Sequence, residues 1–130
     1  MQECCGAKKS RALLEEGLER LAQLQEGEAQ KLYARNPHDW MRGIETLNVL
    51  TNAELVIHAC LARRASSKQL NFTRTDCPEM DPDDWHKFVT VKKRNGGIEV
   101  GELSIDYYGP LAQRYQSENQ DYIEGTWKKT

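Results

Sequence analysis

The chain is short of several things that would announce a function. None of its 4 cysteines, Cys4, Cys5, Cys60 and Cys77, stands in C-x-x-C spacing. That argues against zinc and iron-sulfur ligation and favours reduced structural thiols over a Cys4–Cys5 redox pair. No basic block exceeds Lys92-Lys93-Arg94, and 20 acidic residues against 18 basic ones leave a net charge of -2, so nucleic acid has no electrostatic footprint here. No apolar run approaches the roughly 18 residues of a membrane helix. The N-terminus also lacks the apolar core of a signal peptide, so a soluble, cytoplasmic protein without membrane insertion is expected. A G-x-G-x-x-G turn, which would hold dinucleotide phosphates after a strand, is missing as well.

What is present suits one domain. The 130 residues can bury roughly two thirds of their unfolded surface. The apolar share is 38%, and with 9 glycines it reaches the low end for a soluble domain, enough for one core and no surplus.

Periodicity places two helices. Leu14, Leu18 and Leu21, widened by Leu13 and Leu24, form the apolar stripe of a helix over residues 8–25, with Ser10 as its cap. Gly27 interrupts it, and residues 28–34 form a further short turn carrying Leu32 and Tyr33. Asn36, Pro37 and Asp39 make a strong second start signal. The spacing predicts a helix from there to Arg64, with Trp40, Ile44, Leu47, Thr51, Leu55, His58 and Ala62 along its buried face. Asn48, Thr51 and Asn52 are weak helix formers at its middle, where either a polar contact to another element or plain solvation is expected. Two such helices need a third surface, and residues 1–6 read as the last turn of a helix cut short.

After Arg64 the chemistry changes. Pro78 and Pro82 with Asp76, Glu79, Asp81, Asp83 and Asp84 read as an acidic loop. These carboxylates lack the central glycine and terminal Glu of a calcium loop, so a solvated loop is expected. Residues 87–94 and 98–103, joined by Asn95-Gly96-Gly97, predict a β-hairpin packed on the helices or on another sheet. A short helix over residues 111–116 follows Pro110, and a polar tail follows that.

The run Arg63-Arg64-Ala65-Ser66-Ser67, then Arg74-Thr75-Asp76-Cys77-Pro78-Glu79-Met80-Asp81, resembles the signature after the last long helix of one flavoprotein family. That family is the flavoprotein subunit of succinate dehydrogenase, fumarate reductase and adenylylsulfate reductase. There a basic-Glu-Ser-Arg stretch precedes an Arg-x-Asp-Tyr-Pro turn. Leu13-Leu14-Glu15-Glu16-Gly17-Leu18-Glu19-Arg20-Leu21 and Asn36-Pro37-His38-Asp39-Trp40-Met41-Arg42 are similar to helix starts of its C-terminal domain. Ala65, Ser67, Lys68 and Cys77 depart from the pattern, and the interval from Arg63 to Pro78 is closer to the adenylylsulfate reductase branch.

The resemblance implies a mainly α domain: a three-helix bundle, spectrin-repeat-like with its first helix truncated, then a loop and a C-terminal β-hairpin. The bounds are residues 1–65 for the bundle, 66–86 for the loop, 87–108 for the hairpin and 109–130 for the tail. All would be one domain of a larger flavoprotein whose FAD, catalytic residues and substrate site lie in its other domains. The chain itself is expected to hold no catalytic, cofactor or metal residues. It would brace the flavin-binding domain and contact an iron-sulfur subunit, which could also bring it to a membrane. The alternative is a stand-alone helical protein-protein interaction module. A truncated first helix is what a piece of a longer chain would show.

Individual residues add little chemistry. His58 is expected in the core, and His38 and His86 beside Asp39 and Asp84 suit capping or solvation. Arg74 and Asp76 either lock their proline-bearing turn by a charge-assisted hydrogen bond or reach another domain. Together with Trp85 they are the expected docking surface.

Overall fold

Caps begin both long helices where the sequence places them. A two-residue strand, β1 (Lys8–Lys9), leads to Ser10, whose extended backbone lets its Oγ accept from the Leu13 N–H at 3.3 Å. Helix α1 therefore runs Arg11–Glu26 and stops at Gly27. A 3-10 turn, Glu28–Lys31, follows. Asn36 Oδ1 accepts from the Asp39 N–H at 2.9 Å, Pro37 occupies the first position, and α2 runs Pro37–Ala62. The computed structural model describes residues 1–105, 112–118 and 120.

The helices meet over a small core. Leu14 and Gly17 are the buried residues of α1, and Ala53 and Ile57 those of α2. A methyl group at Gly17 would lie 3.0 Å from Cys4 Cβ and 3.1 Å from Ile57 Cδ1, so glycine permits this close approach.

The face that α2 buries differs from the expected one. Trp40, Ile44 and Leu47 are exposed, and Thr51, Leu55, His58 and Ala62 are only half-buried. Apolar residues lie nearly all round this helix, with Met41, Val49, Val56 and Ile57 off the expected stripe, so their period does not single out one face. Close approach to Gly17 selects Ile57, and Ala53, one turn earlier, is buried with it. The polar residues at mid-helix reach no other element that would explain them: Thr51 Oγ1 bonds back to Leu47 O at 3.1 Å, and Asn48 and Asn52 are exposed.

Residues 1–6 make one α-turn, closed by the Cys5 N–H on Met1 O at 2.7 Å. The described residues thus hold two long helices and a hairpin, a mixed α/β arrangement, and do not show the third long helix of the expected bundle.

The segment after α2 is knitted rather than loose. Its strand β2 (Thr73–Arg74) pairs in parallel with β1, and isolated bridges join Ser66 to Met80, Ser67 to Phe72 and Arg74 to Cys77. A 3-10 turn, Asp83–Trp85, leads into the hairpin of β3 (Lys87–Arg94) and β4 (Gly97–Ser104). Asn95 and Gly96 both have positive φ (52° and 79°), the two-residue turn that suits the right-handed strand twist. The hairpin lies against α2, where Lys93 Nζ reaches Glu54 Oε2 at 3.1 Å. Helix α3 spans Ala112–Glu118. The expected end of the hairpin at residue 108, the start of this helix at residue 111 and, of the expected tail over residues 109–130, residues 109–111, 119 and 121–130 lie outside the described residues. Among the described residues, no helix is long and apolar enough to cross a membrane.

Candidate functional site

Arg74 is only 2% exposed, and its guanidinium joins three separate pieces of the chain. Nη1 donates to the carbonyls of Cys60, Leu61 and Arg63, groups that the end of α2 leaves without helical partners. Nε donates to Asp76 Oδ1 at 2.8 Å and Nη2 to Asp76 Oδ2 at 2.6 Å, a bidentate pair. Asp76 Oδ2 also accepts the Arg11 N–H at 3.2 Å, the first amide of α1. One arginine and one aspartate therefore tie the C-terminal end of α2 to the N-terminal end of α1. Each charge faces the dipole end that favours it.

The electrostatics follow. The bonds from Arg74 hold the Asp76 carboxyl down at about 2, and the same carboxylate raises the Arg74 guanidinium above its already high ordinary value.

Ser66 supports the clamp from beneath. It is fully buried; its Oγ accepts the Arg74 N–H at 2.9 Å and donates to Cys77 O at 2.9 Å. Its backbone bonds to Glu79 O and the Asp81 N–H, both at 2.9 Å. Asp81, at φ 46°, accepts the Lys68 N–H at 3.1 Å, and hydrogen bonds from Ser67 and then Lys68 lower its carboxyl. Two of the five acidic residues read as a solvated loop, Asp76 and Asp81, thus accept hydrogen bonds from the chain; Asp81 is half-buried, and Asp76, Glu79, Asp83 and Asp84 are exposed.

Trp85 stands apart from that clamp. Arg63 lies 5.7 Å and Lys87 Nζ 4.5 Å from its ring centroid, and Arg63 also lies 5.8 Å from Phe72. Arg63 Nε is buried and finds no hydrogen-bond partner among the described residues. Arg63, Trp85 and Lys87 line a cleft of about 430 Å³ that also takes in Val56, Phe88 and Ile105. Of the three residues expected on one surface, Arg74 and Asp76 touch each other, while Trp85 belongs to this cationic and aromatic cleft. His58 is half-buried, and His38 and His86 are exposed.

Sequence reasoning placed Arg63 and Ser66 in the signature without giving either a structural role, and passed over Lys9. Lys9 is buried with Nζ 4.4 Å from the Phe72 ring, and its carbonyl accepts the Thr75 N–H at 2.9 Å. No local spacing marks these three, because each acts on a partner many positions away. Among the described residues, no group of three or more His, Cys, Asp or Glu is placed to hold a metal ion.

The arrangement can brace two helix ends; it presents no nucleophile paired with a base. A search of curated proteins returned no significant match to the sequence. The family model described as the fumarate reductase flavoprotein C-terminal region matches residues 1–121. With nearly the whole sequence covered, and with the knitted segment behind α2 at the place of the family's signature, the chain belongs to the fumarate reductase flavoprotein C-terminal family.

Proposed function

We propose that this domain braces the flavin-binding part of an FAD-dependent oxidoreductase subunit and takes no part in the chemistry itself. The family is one of FAD flavoproteins, yet the groups present here do not fit the dinucleotide. The first amide of α1 is already turned to the Asp76 carboxylate, and Asn36 and Asp39 close the start of α2. Neither end is left to cradle phosphates.

The observation that carries the reading is the uncovered apolar surface around the start of α2. Trp40 is 64% exposed and Tyr33 73%, and with Leu32, Ile44 and Leu47 they line a groove of about 170 Å³. A surface of this kind marks an interaction site, and the partner proposed is the protein's own flavin-binding domain. A third helix over the cleft between residues 1–4 and Leu21, Leu24 and Ile57 would complete the expected bundle there.

Arg74, Asp76 and Trp85 remain the proposed docking region, divided by role: Trp85 with Arg63 and Lys87 as contact, Arg74 and Asp76 as the frame beneath. An iron-sulfur subunit is the proposed occupant of that side. A parent nearer the adenylylsulfate reductase branch is part of the proposal, supported by the long interval from Arg63 to Pro78.

Trp85→Ala in the flavoprotein tests the assignment. Association with the iron-sulfur subunit is expected to weaken at least tenfold while the melting temperature of the domain holds. Unchanged association would remove Trp85 from the contact.

A further inference from the structure

Four free thiols are present, and two from distant parts of the sequence meet. Cys5 Sγ and Cys60 Sγ are 3.7 Å apart, 55 positions from one another in sequence and both half-buried. Cys5 sits on the N-terminal turn and Cys60 in the last turn of α2. Cys4, the neighbour that might compete, points elsewhere: it is buried in the contact between α1 and α2, with its Cβ against Gly17.

We propose that Cys5 and Cys60 form a reversible disulfide on exposure to a small-molecule disulfide. A disulfide needs its sulfurs about 2.05 Å apart, so the thiols must close by less than 2 Å from van der Waals contact. That is within reach of side-chain torsions.

The exchange balances as follows. The Cys5 thiolate attacks one sulfur of the small disulfide; that S–S bond breaks, and the first small thiol leaves. Cys60 then gives its proton to solvent and attacks the Cys5 sulfur of the mixed disulfide, releasing the second small thiol. The two protein thiols lose two electrons and two protons, and the small disulfide gains both, becoming two thiols.

Burial, and next the neighbouring Cys5, push the Cys60 thiol up to about 11. Cys60 is therefore mostly protonated at neutral pH, which slows its attack on the mixed disulfide. The finished bond would anchor the N-terminal turn to the residue whose carbonyl Arg74 grips. This inference does not depend on the flavoprotein role.

Incubating the 130-residue chain with glutathione disulfide, blocking residual thiols and mapping peptides by mass spectrometry tests it. The expected product is Cys5–Cys60 with Cys4 and Cys77 still alkylatable. Closure should quicken about tenfold per pH unit between about pH 7 and 9, as the Cys60 thiolate fraction rises. Melting should shift upward by about 10 °C. Cys4→Ser should form the same bond, whereas Cys5→Ser and Cys60→Ser should stop at a glutathione adduct. In denaturant Cys4 and Cys5 become equivalent, so a Cys4–Cys60 product of equal yield should appear only there. Equal yields under native conditions, adducts without closure, or four unreacted thiols would each overturn the proposal.

Discussion

Arg74 concentrates the polar architecture of the domain in one side chain. Replacing it by Ala removes the donors to three carbonyls and leaves Asp76 without its cation. A loss of about 3 kcal/mol in denaturant-derived stability is expected, because the carbonyls at the end of α2 lose a buried, charged donor. Arg74→Lys should recover less than half, because an ammonium group cannot reproduce the planar fork. Asp76 sets the acid limit. Its folded carboxyl titrates at about 2, below its ordinary 3.8, so its contribution is full above about pH 4 and fades as pH falls towards 2. Asp76→Asn should flatten that part of an acid-unfolding curve and leave the region above about pH 5 parallel to the parent. In the sequence these two residues could be recognised as a turn lock or a reach to another domain. What could not be recognised is that the lock closes on the ends of two helices, since Arg11 and Cys60 lie 63 and 14 positions before Arg74, and only the folded chain brings them together.

At the scale of elements, local rules and long-range packing separate cleanly. Ser10, Asn36 with Pro37, and Asn95-Gly96 encode their own boundaries through single hydrogen bonds or backbone angles, and both helix starts and the hairpin turn fall where those residues put them. Helix faces are another matter. Leu14 is found at the centre of the α1 stripe, but Gly17, with no side chain to count, carries the contact that decides how α2 is rotated. Gly17→Leu tests this directly: a side chain forced between Cys4 and Ile57 should destabilise the domain by about 2 kcal/mol, whereas Leu13→Ala, on the exposed side of the same helix, should cost well under 1. The stretch after α2 looked like a solvated loop for the same reason. Its composition is that of loops, while its order comes from pairings such as Ser66 with Met80 and Thr75 with Lys9, which composition does not encode.

For the molecule as a whole, family membership was readable from the residues around Arg63 and Asp81, because a signature survives substitution at Ala65, Ser67, Lys68 and Cys77. The burial of Arg74 was not readable there, because the carbonyls it binds lie in the preceding helix. A domain that keeps its polar clamp internal while leaving Tyr33, Trp40 and Leu47 uncovered is suited to stiffen a larger body by docking on it. Amide hydrogen exchange, run on the isolated chain and on the flavoprotein that contains it, tests this most directly. Residues 63–81 should be protected to the same degree in both, and residues 32–47 and 85–88 should gain protection only in the flavoprotein. Rapid exchange of residues 63–81 in the isolated chain, or no added protection at the other two segments, would contradict the bracing role.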